Sequence, residues 1–314
     1  MKILFTGASS FTGYWFSREL SKAGHEVHVT FTREDVKAYG TNVRGRRVQS
    51  VLERCTPIYS CQFGNDRFLE LVRSEKYDLL CHHAAYAVDY KSQDFDVCSA
   101  VACNTKHVRP VLEALKFYNA SCVFTSSYFE GGTGAGSDGL PSFSPYGFSK
   151  SLTTQILQFY CAQLGLTCGR FVIPNPFGPW EEARFTAYLM KCWSNGNTAK
   201  VSTPACVRDN IHVSLLTAAY LKFVESASHI GGYVQQNPSG YAESQGAFAE
   251  RVAREVRKRT NWLCQLELAN QAQFDEPAVR INTEPLLAAQ FGWSEQQAWS
   301  EFVDYYTIEL PSIG

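Results

Sequence analysis

The chain has 314 residues, 45% of them hydrophobic and 19% charged, with a formal net charge of -1. This length and apolar content fill a large core and exclude a disordered or fibrous polymer. The near-zero charge gives no ground for nucleic acid or an anionic membrane as partner, because phosphate binding needs clustered positive charge. A small-molecule substrate is the expectation. The apolar start, Lys2 to Phe5, is too short for a signal-peptide core and no later stretch has the length to span a bilayer, so a cytoplasmic protein is expected.

The chain opens on a β-α-β pattern: the apolar run Ile3, Leu4, Phe5, a small-residue turn, a helical stretch from about Gly13 to Ala23, then Gly24 and the β-branched run Val27, Val29, Thr30. The turn reads Thr6-Gly7-Ala8-Ser9-Ser10-Phe11-Thr12-Gly13. Glycine there permits a tight turn and close helix-strand packing, and the helix N-terminus offers unpaired N–H groups to a pyrophosphate. Gly7, Ser9, Ser10, Phe11, Thr12 and Gly13 are therefore candidate cofactor contacts; an ordinary βα turn is the alternative. Ser10 stands where a middle glycine is usual, and its hydroxyl is a candidate donor to the cofactor. The second strand ends in Thr30-Phe31-Thr32-Arg33. A basic residue at this place accommodates the 2′-phosphate of NADP, whereas an acidic one holds the ribose hydroxyls of NAD. Thr32 and Arg33 favour NADP(H). Glu34 and Asp35 follow at once, and a one-residue shift of the loop reverses the preference to NAD(H).

Further strands are predicted at Asp78 to Cys81, Cys122 to Thr125 and Cys168 to Ile173, each after a helical pattern, which argues for a parallel sheet with helices on both faces. The eleven cysteines are scattered singly with no Cys-x-x-Cys pair and read as free thiols. His82 and His83 are adjacent on a strand, point to opposite faces and cannot share a metal, so no metal site is expected. Ser126 and Ser127 end the Cys122 strand at the carboxyl edge of the sheet, where such folds bind ligands. In Tyr146-Gly147-Phe148-Ser149-Lys150 the four-residue spacing puts phenol and ammonium on one helix face. A fixed positive charge lowers a tyrosine pKa and fits the phenol for proton exchange with a hydroxyl or carbonyl, which Ser127 can orient. After Pro174 the pattern loosens, with helices near Arg184 to Trp193, Val213 to Glu225 and Ala247 to Lys258. The expected organisation is a dinucleotide domain over 1–173, with return segments near 207–213 and 233–237, and a mainly substrate-binding lobe over 174–314.

Taken together, the glycine loop, Asp78-Leu79-Leu80-Cys81-His82-His83-Ala84-Ala85, Asn104 with Thr105, Ser126-Ser127, Tyr146 and Lys150, Asn175-Pro176-Phe177-Gly178-Pro179 and Arg208-Asp209-Asn210-Ile211-His212-Val213 resemble the extended short-chain dehydrogenase/reductase family of nucleotide-sugar epimerases, dehydratases and reductases. The resemblance implies an α/β fold, a Rossmann-type doubly wound parallel sheet with a smaller, interleaved C-terminal lobe for a nucleotide sugar. It implies that Tyr146 is the general acid/base, that Lys150 tunes it and holds the nicotinamide ribose, and that Ser127 bonds the reacting oxygen. Ala84, Ala85, Asn104 and Pro174 join the cofactor set. Tyr128, Asn175, Arg184 and Arg208 face the substrate, Asn175 and Arg208 at the diphosphate, where a guanidinium matches phosphate geometry. A homodimer through the helices Asn104 to Lys116 and Tyr146 to Leu164 is also implied.

Among family reactions, 4,6-dehydratases resemble one another in an Asp-Glu pair after the catalytic Thr or Ser; here Tyr128-Phe129 stand there, and Glu130 alone is a poor substitute. The 3,5-epimerase/reductases use a cysteine where this chain has Tyr128. The main expectation is reduction of a nucleotide-linked C4 keto-sugar by NADPH, and the alternative is 4-epimerisation with retained NAD. A non-catalytic NAD(P) sensor is the reading of another class. The glycine-rich loop Gly131 to Gly136 reads either as a flap over the substrate or as a plain surface insertion.

Overall fold

The computed structural model describes residues 1–137, 139–227 and 230–310. Two units emerge: Met1–Thr133, Pro141–Ile173 and Thr217–Asn237 form the first, and Gly134–Leu140, Pro174–Leu216 and Pro238–Gly314 the second. In chain order the elements are β1 (Lys2–Thr6), α1 (Phe11–Lys22), β2 (Glu26–Thr30), α2 (Val43–Val51), β3 (Thr56–Ile58), α3 (Asp66–Ser74), β4 (Leu79–His82), α4 (Val97–Asn104), α5 (Val108–Phe117) and β5 (Ser121–Ser127). There follow β6 (Ala135–Gly136), α6 (Pro145–Leu164), β7 (Cys168–Ile173), β8 (Asn175–Phe177), α7 (Phe185–Ser194), β9 (Ala199–Val201), β10 (Val207–His212), α8 (Val213–Ala227) and β11 (Tyr233–Gln236). The chain closes with β12 (Pro238–Ser239), β13 (Tyr241–Ser244), α9 (Gln245–Arg257), β14 (Leu266–Leu268), β15 (Val279–Ile281), β16 (Glu284–Pro285) and α10 (Glu295–Glu309).

The first unit is a seven-stranded sheet in the order β11-β7-β5-β4-β1-β2-β3, every adjacent pair parallel. A parallel sheet is covered on both faces, which is why β1 and β4 are apolar runs rather than alternating ones. On one face Leu4, Leu80 and Phe124 pack with Val111, Leu112 and Leu157. On the other, Phe16 stacks on Tyr220 with ring centres 4.0 Å apart, and Phe171 meets both rings edge-on. The order of connection reverses between β1 and β4. Open parallel sheets bind ligands at the carboxyl ends of the strands at such a reversal.

The start of α6 is set locally. Ser144 caps it by accepting the Gly147 N–H at 3.2 Å, and Pro145 occupies the first turn, where its missing N–H costs nothing. Tyr146 thus lies in the first turn and Lys150 one turn on.

In the second unit β10 carries β13 on one side and β8 and β15 on the other, and β6 pairs with β15. The segment 207–213, expected to return to the main sheet, therefore lies in this second sheet, where its backbone groups are already satisfied; Tyr233–Gln236 does extend the main sheet, beside β7. The core of this unit is aromatic, with Phe177, Trp193, Phe248, Trp299, Phe302 and Tyr306.

Candidate active site

The loop after β1 is shaped by two glycines. Gly7 holds a φ of +85°, and a Cβ on it would stand 2.8 Å from the Ala84 nitrogen; a Cβ on Gly13 would stand 2.2 Å from the Gly7 carbonyl oxygen. Ser10 caps α1: its hydroxyl donates to the Gly7 carbonyl at 2.9 Å and accepts the Gly13 N–H at 3.1 Å. That hydroxyl, singled out above as a cofactor donor, is engaged on the protein's own loop. The first turn of α1 carries no acidic side chain, so the positive end of the helix stays open to an anion. A narrow glycine cradle against an uncompensated helix N-terminus fits the pyrophosphate of a dinucleotide.

Around this cradle Thr6 Oγ1 takes the N–H groups of His83 and Ala84 at 3.1 and 3.0 Å, pinning the end of β4 to the end of β1; Ala85 follows directly. Asn104 accepts the Tyr86 N–H at 2.7 Å and donates to Thr153 Oγ1 at 3.3 Å, so its amide shapes the loop after β4 and anchors it to α6. Thr32 and Arg33 are exposed on the loop after β2. A second arginine, absent from the sequence reading, joins them: Arg44 donates from Nε and a terminal nitrogen to Ser9 Oγ at 3.2 and 3.0 Å and lies over the Tyr39 ring at 5.4 Å. Its only sequence signal was a basic first turn in the next helix.

Ser127, Tyr146 and Lys150 arrive by different routes. At the end of β5, Ser127 Oγ accepts the Phe129 N–H at 3.2 Å, and the Ser127 N–H donates to Glu130 Oε1 at 2.9 Å. Lys150 is buried, and its Nζ donates to the Thr125 carbonyl oxygen at 3.0 Å, two residues from Ser127. Burial pulls the Lys150 pKa below the ordinary lysine value, Glu130 opposes that shift and Arg170 adds to it. The Tyr146 ring meets Tyr90 and Phe95 edge-on, with centres 5.5 and 5.8 Å away. Tyr128 is buried at 2% exposure and stacks on Phe129.

Glu130 has a role the sequence did not disclose. It is fully buried and paired with Arg170 at 2.8 Å, and Arg170 also donates to Ser126 Oγ at 2.9 Å and Thr133 Oγ1 at 2.8 Å. The signal was a lone arginine inside the apolar strand Cys168–Ile173.

In the second unit Pro174 is buried directly after β7, and Asn175 donates to Asn210 Oδ1 at 2.6 Å. Arg208 is 3% exposed, donates to the carbonyls of Val207 and Pro277 at 2.9 Å, and pairs with Glu276 at 2.9 Å. Arg184 stands at the N-cap position of α7 with no side-chain capping bond, its Nε 4.0 Å from Glu182. Among the described residues no group of three or more His, Cys, Asp or Glu is arranged to hold a metal ion, and no helix is long and apolar enough to cross a membrane.

The model of the NAD dependent epimerase/dehydratase family matches residues 3–234. The chain belongs to that family. It is an enzyme of the NAD(P)-dependent oxidoreductase/epimerase type, built on the extended short-chain dehydrogenase/reductase fold. No functionally curated protein matches the sequence. Among solved structures, UDP-glucuronic acid 4-epimerase from Bacillus cereus, in complex with UDP-glucuronic acid and NAD, is similar at a TM-score of 0.72 and 18% identity, over 98% of this chain and 100% of that one. UDP-glucose 4-epimerase from Thermotoga maritima with UDP-glucose is similar at 0.72 and 18%, over 99% and 100%. The UDP-Glc/GlcNAc 4-epimerase from Campylobacter jejuni is similar at 0.69 and 17%, over 98% and 99%. At these identities the likeness is one of fold.

Proposed function

We propose that this family member interconverts the C4 epimers of a nucleotide-linked sugar with a retained NAD, a reading supported by Lys150 Nζ on the Thr125 carbonyl, two residues before Ser127, on a strand that His83 links to the glycine loop. When bound, the nicotinamide ring supplies reversible two-electron oxidation at the sugar carbon. Tyr146 takes the proton from the C4 hydroxyl and returns it after the sugar has turned over. The charge of Lys150 favours the phenolate. Ser127 has a lone pair occupied by Phe129 N–H, which leaves its own hydrogen to hold the sugar oxygen. Asn175 and Arg208 are assigned to the nucleotide diphosphate, Arg184 to the substrate more broadly and Tyr128 to the wall of the sugar pocket. A homodimer through α5 and α6 belongs to the same reading and covers Phe117 and Phe159, which are 80% and 60% exposed.

Glu130 supports an enzyme that does not eliminate water: its carboxylate is spent on Arg170 and on the Ser127 N–H. The 4-epimerases that share the fold, one of them in complex with NAD, favour epimerisation over reduction. A second reading, reduction of a C4 keto-sugar by NADPH, is favoured by one observation, two arginines about Tyr39: Arg33, whose N–H reaches the Tyr39 hydroxyl, and Arg44, which lies over its ring and donates to Ser9 Oγ. The deciding experiment releases the dinucleotide from freshly purified protein by denaturation, identifies it, and follows UDP-glucose and UDP-galactose by NMR with no cofactor added. Stoichiometric NAD with interconversion supports the epimerase; an empty site with NADPH-dependent consumption of a 4-keto-sugar supports the reductase.

A further inference from the structure

His83 joins the nucleotide loop to the catalytic strand. Its Nε2 lies 3.1 Å from both Ser10 Oγ and Thr12 Oγ1, and its Nδ1 lies 2.8 Å from Thr125 Oγ1. The tautomer follows from donor counting. Ser10 has one hydroxyl hydrogen, and the Gly7 carbonyl at 2.9 Å takes it, so towards His83 the Ser10 oxygen can only accept. On that count the proton is assigned to Nε2, shared by Ser10 and Thr12, with Nδ1 accepting from Thr125. Enclosure of the ring, and then the nearby Lys150 charge, push its pKa down to about 3 and keep it neutral. Phe5 at 5.8 Å and Phe16 edge-on at 5.5 Å fix the ring plane. Thr125 in turn presents the carbonyl that receives Lys150 Nζ at 3.0 Å. One neutral ring thus spans the distance from the helix N-terminus to the residue that seats the catalytic lysine.

We propose that His83 is a positioning residue that couples dinucleotide binding to the seat of Lys150, through Ser10 and Thr12 on one ring nitrogen and Thr125 on the other. The inference rests on the reading of the glycine cradle as a dinucleotide site. An aliphatic side chain of similar volume would fill the same space, but it would leave Ser10, Thr12 and Thr125 oxygens against hydrocarbon and the two elements free to move separately. The pairing also accounts for Ser10 in place of a glycine: the serine supplies the acceptor that holds the ring.

The test is a double-mutant cycle on dinucleotide affinity, read by titrating the fluorescence of NADH and of NADPH, with wild type, T125V, H83L and T125V/H83L. Thr125→Val removes a hydroxyl that is bonded to His83 rather than to the loop. We expect it to weaken dinucleotide binding about fivefold, the equivalent of roughly one neutral hydrogen bond, and to have no further effect once His83 is leucine. In the 15N spectrum of histidine-labelled protein, the resonance lost in H83L should show the Nε2–H form and shift in T125V. Unchanged affinity in T125V, an effect of T125V that persists in the H83L background, or a proton on Nδ1 overturns the proposal. If H83L does not fold, the affinity and spectrum of T125V decide alone. A wild type that binds neither dinucleotide removes the reading of the cradle and the proposal with it, whereas binding with an additive cycle removes only the coupling.

Discussion

Arg170 and Glu130 form a buried 2.8 Å ion pair, and the other oxygen of the same carboxylate receives the N–H of Ser127. The pair therefore fixes the backbone that carries the Ser127 hydroxyl, proposed to hold the reacting oxygen. Glu130→Gln preserves an acceptor for Ser127 and leaves the Arg170 guanidinium without its counter-charge, so the expected loss is about 3–5 kcal/mol in urea unfolding. Replacing both partners by apolar residues, as in E130L/R170M, should recover much of it, because no unpaired charge stays buried. A four-protein unfolding cycle checks this; equal losses in the single and double variants would count against it.

On the proposed mechanism, Tyr146→Phe removes the proton that the reaction exchanges and keeps the ring that meets Tyr90 and Phe95. Turnover should fall by about 10²–10⁴-fold while the dissociation constant of the dinucleotide stays within about twofold, a factor well under the tenfold step of 1.4 kcal/mol. The proper comparison is Lys150→Met, which should lower turnover and also raise the dissociation constant, since the same ammonium is assigned to the nicotinamide ribose. Stopped-flow rates and fluorescence titrations on the two variants separate the roles.

Arg44 and Arg33 bear on cofactor choice in a way that distinguishes the two readings. Arg44→Ala frees Ser9 Oγ from two hydrogen bonds, and Arg33→Ala removes an exposed cation. If the pair receives a 2′-phosphate, R33A/R44A should weaken NADPH by at least about tenfold, in keeping with roughly 1.5–3 kcal/mol for a hydrogen bond to a charged group. NADH affinity should hardly change. For an enzyme committed to NAD, both affinities should move together and slightly.

What could be read along the chain was what is local. The Tyr146 and Lys150 spacing is set by helical geometry, and the β1-turn-α1 unit by the alternation of apolar and small residues, so both were legible without contacts. The Arg170–Glu130 pair joins residues forty positions apart, and nothing in either neighbourhood names the other. The strand β10 shows the same limit: its composition suits either sheet, and only its partners β8, β13 and β15 place it in the second. His83 read as half of a histidine pair to be tested for metal. Its partners Ser10, Thr12 and Thr125 come from two other strand ends, and the topology of the sheet supplies them.

Glu181 supplies a pH dependence of stability that is separate from the chemistry. It is buried at 4% exposure in the second unit, where Oε1 accepts from Thr186 Oγ1 at 2.5 Å and Tyr306 at 2.6 Å, while Oε2 has no hydrogen-bond partner. Burial raises its pKa from 4.5 to about 7, and the two hydroxyl bonds offset only part of that. The folded chain therefore holds a proton between about pH 4.5 and 7 that the unfolded chain has released, so this group makes stability fall as pH rises through that window and leaves it lowest above about 7. Glu181→Gln keeps an acceptor for Thr186 and Tyr306 and removes the titration. Thermal melts from pH 5 to 8 should show a flatter profile for E181Q than for the wild type, with the variant more stable at pH 8 by on the order of 1–3 kcal/mol. His82, His83 and His212, all held neutral chiefly by burial with pKa values near 3, act in the opposite sense and weaken the fold as pH falls below about 6.5 in either protein. They do not distinguish the variant from the wild type. Superimposable melting profiles of the two proteins across the range would show that Glu181 is ionised in the folded state, with a partner for Oε2.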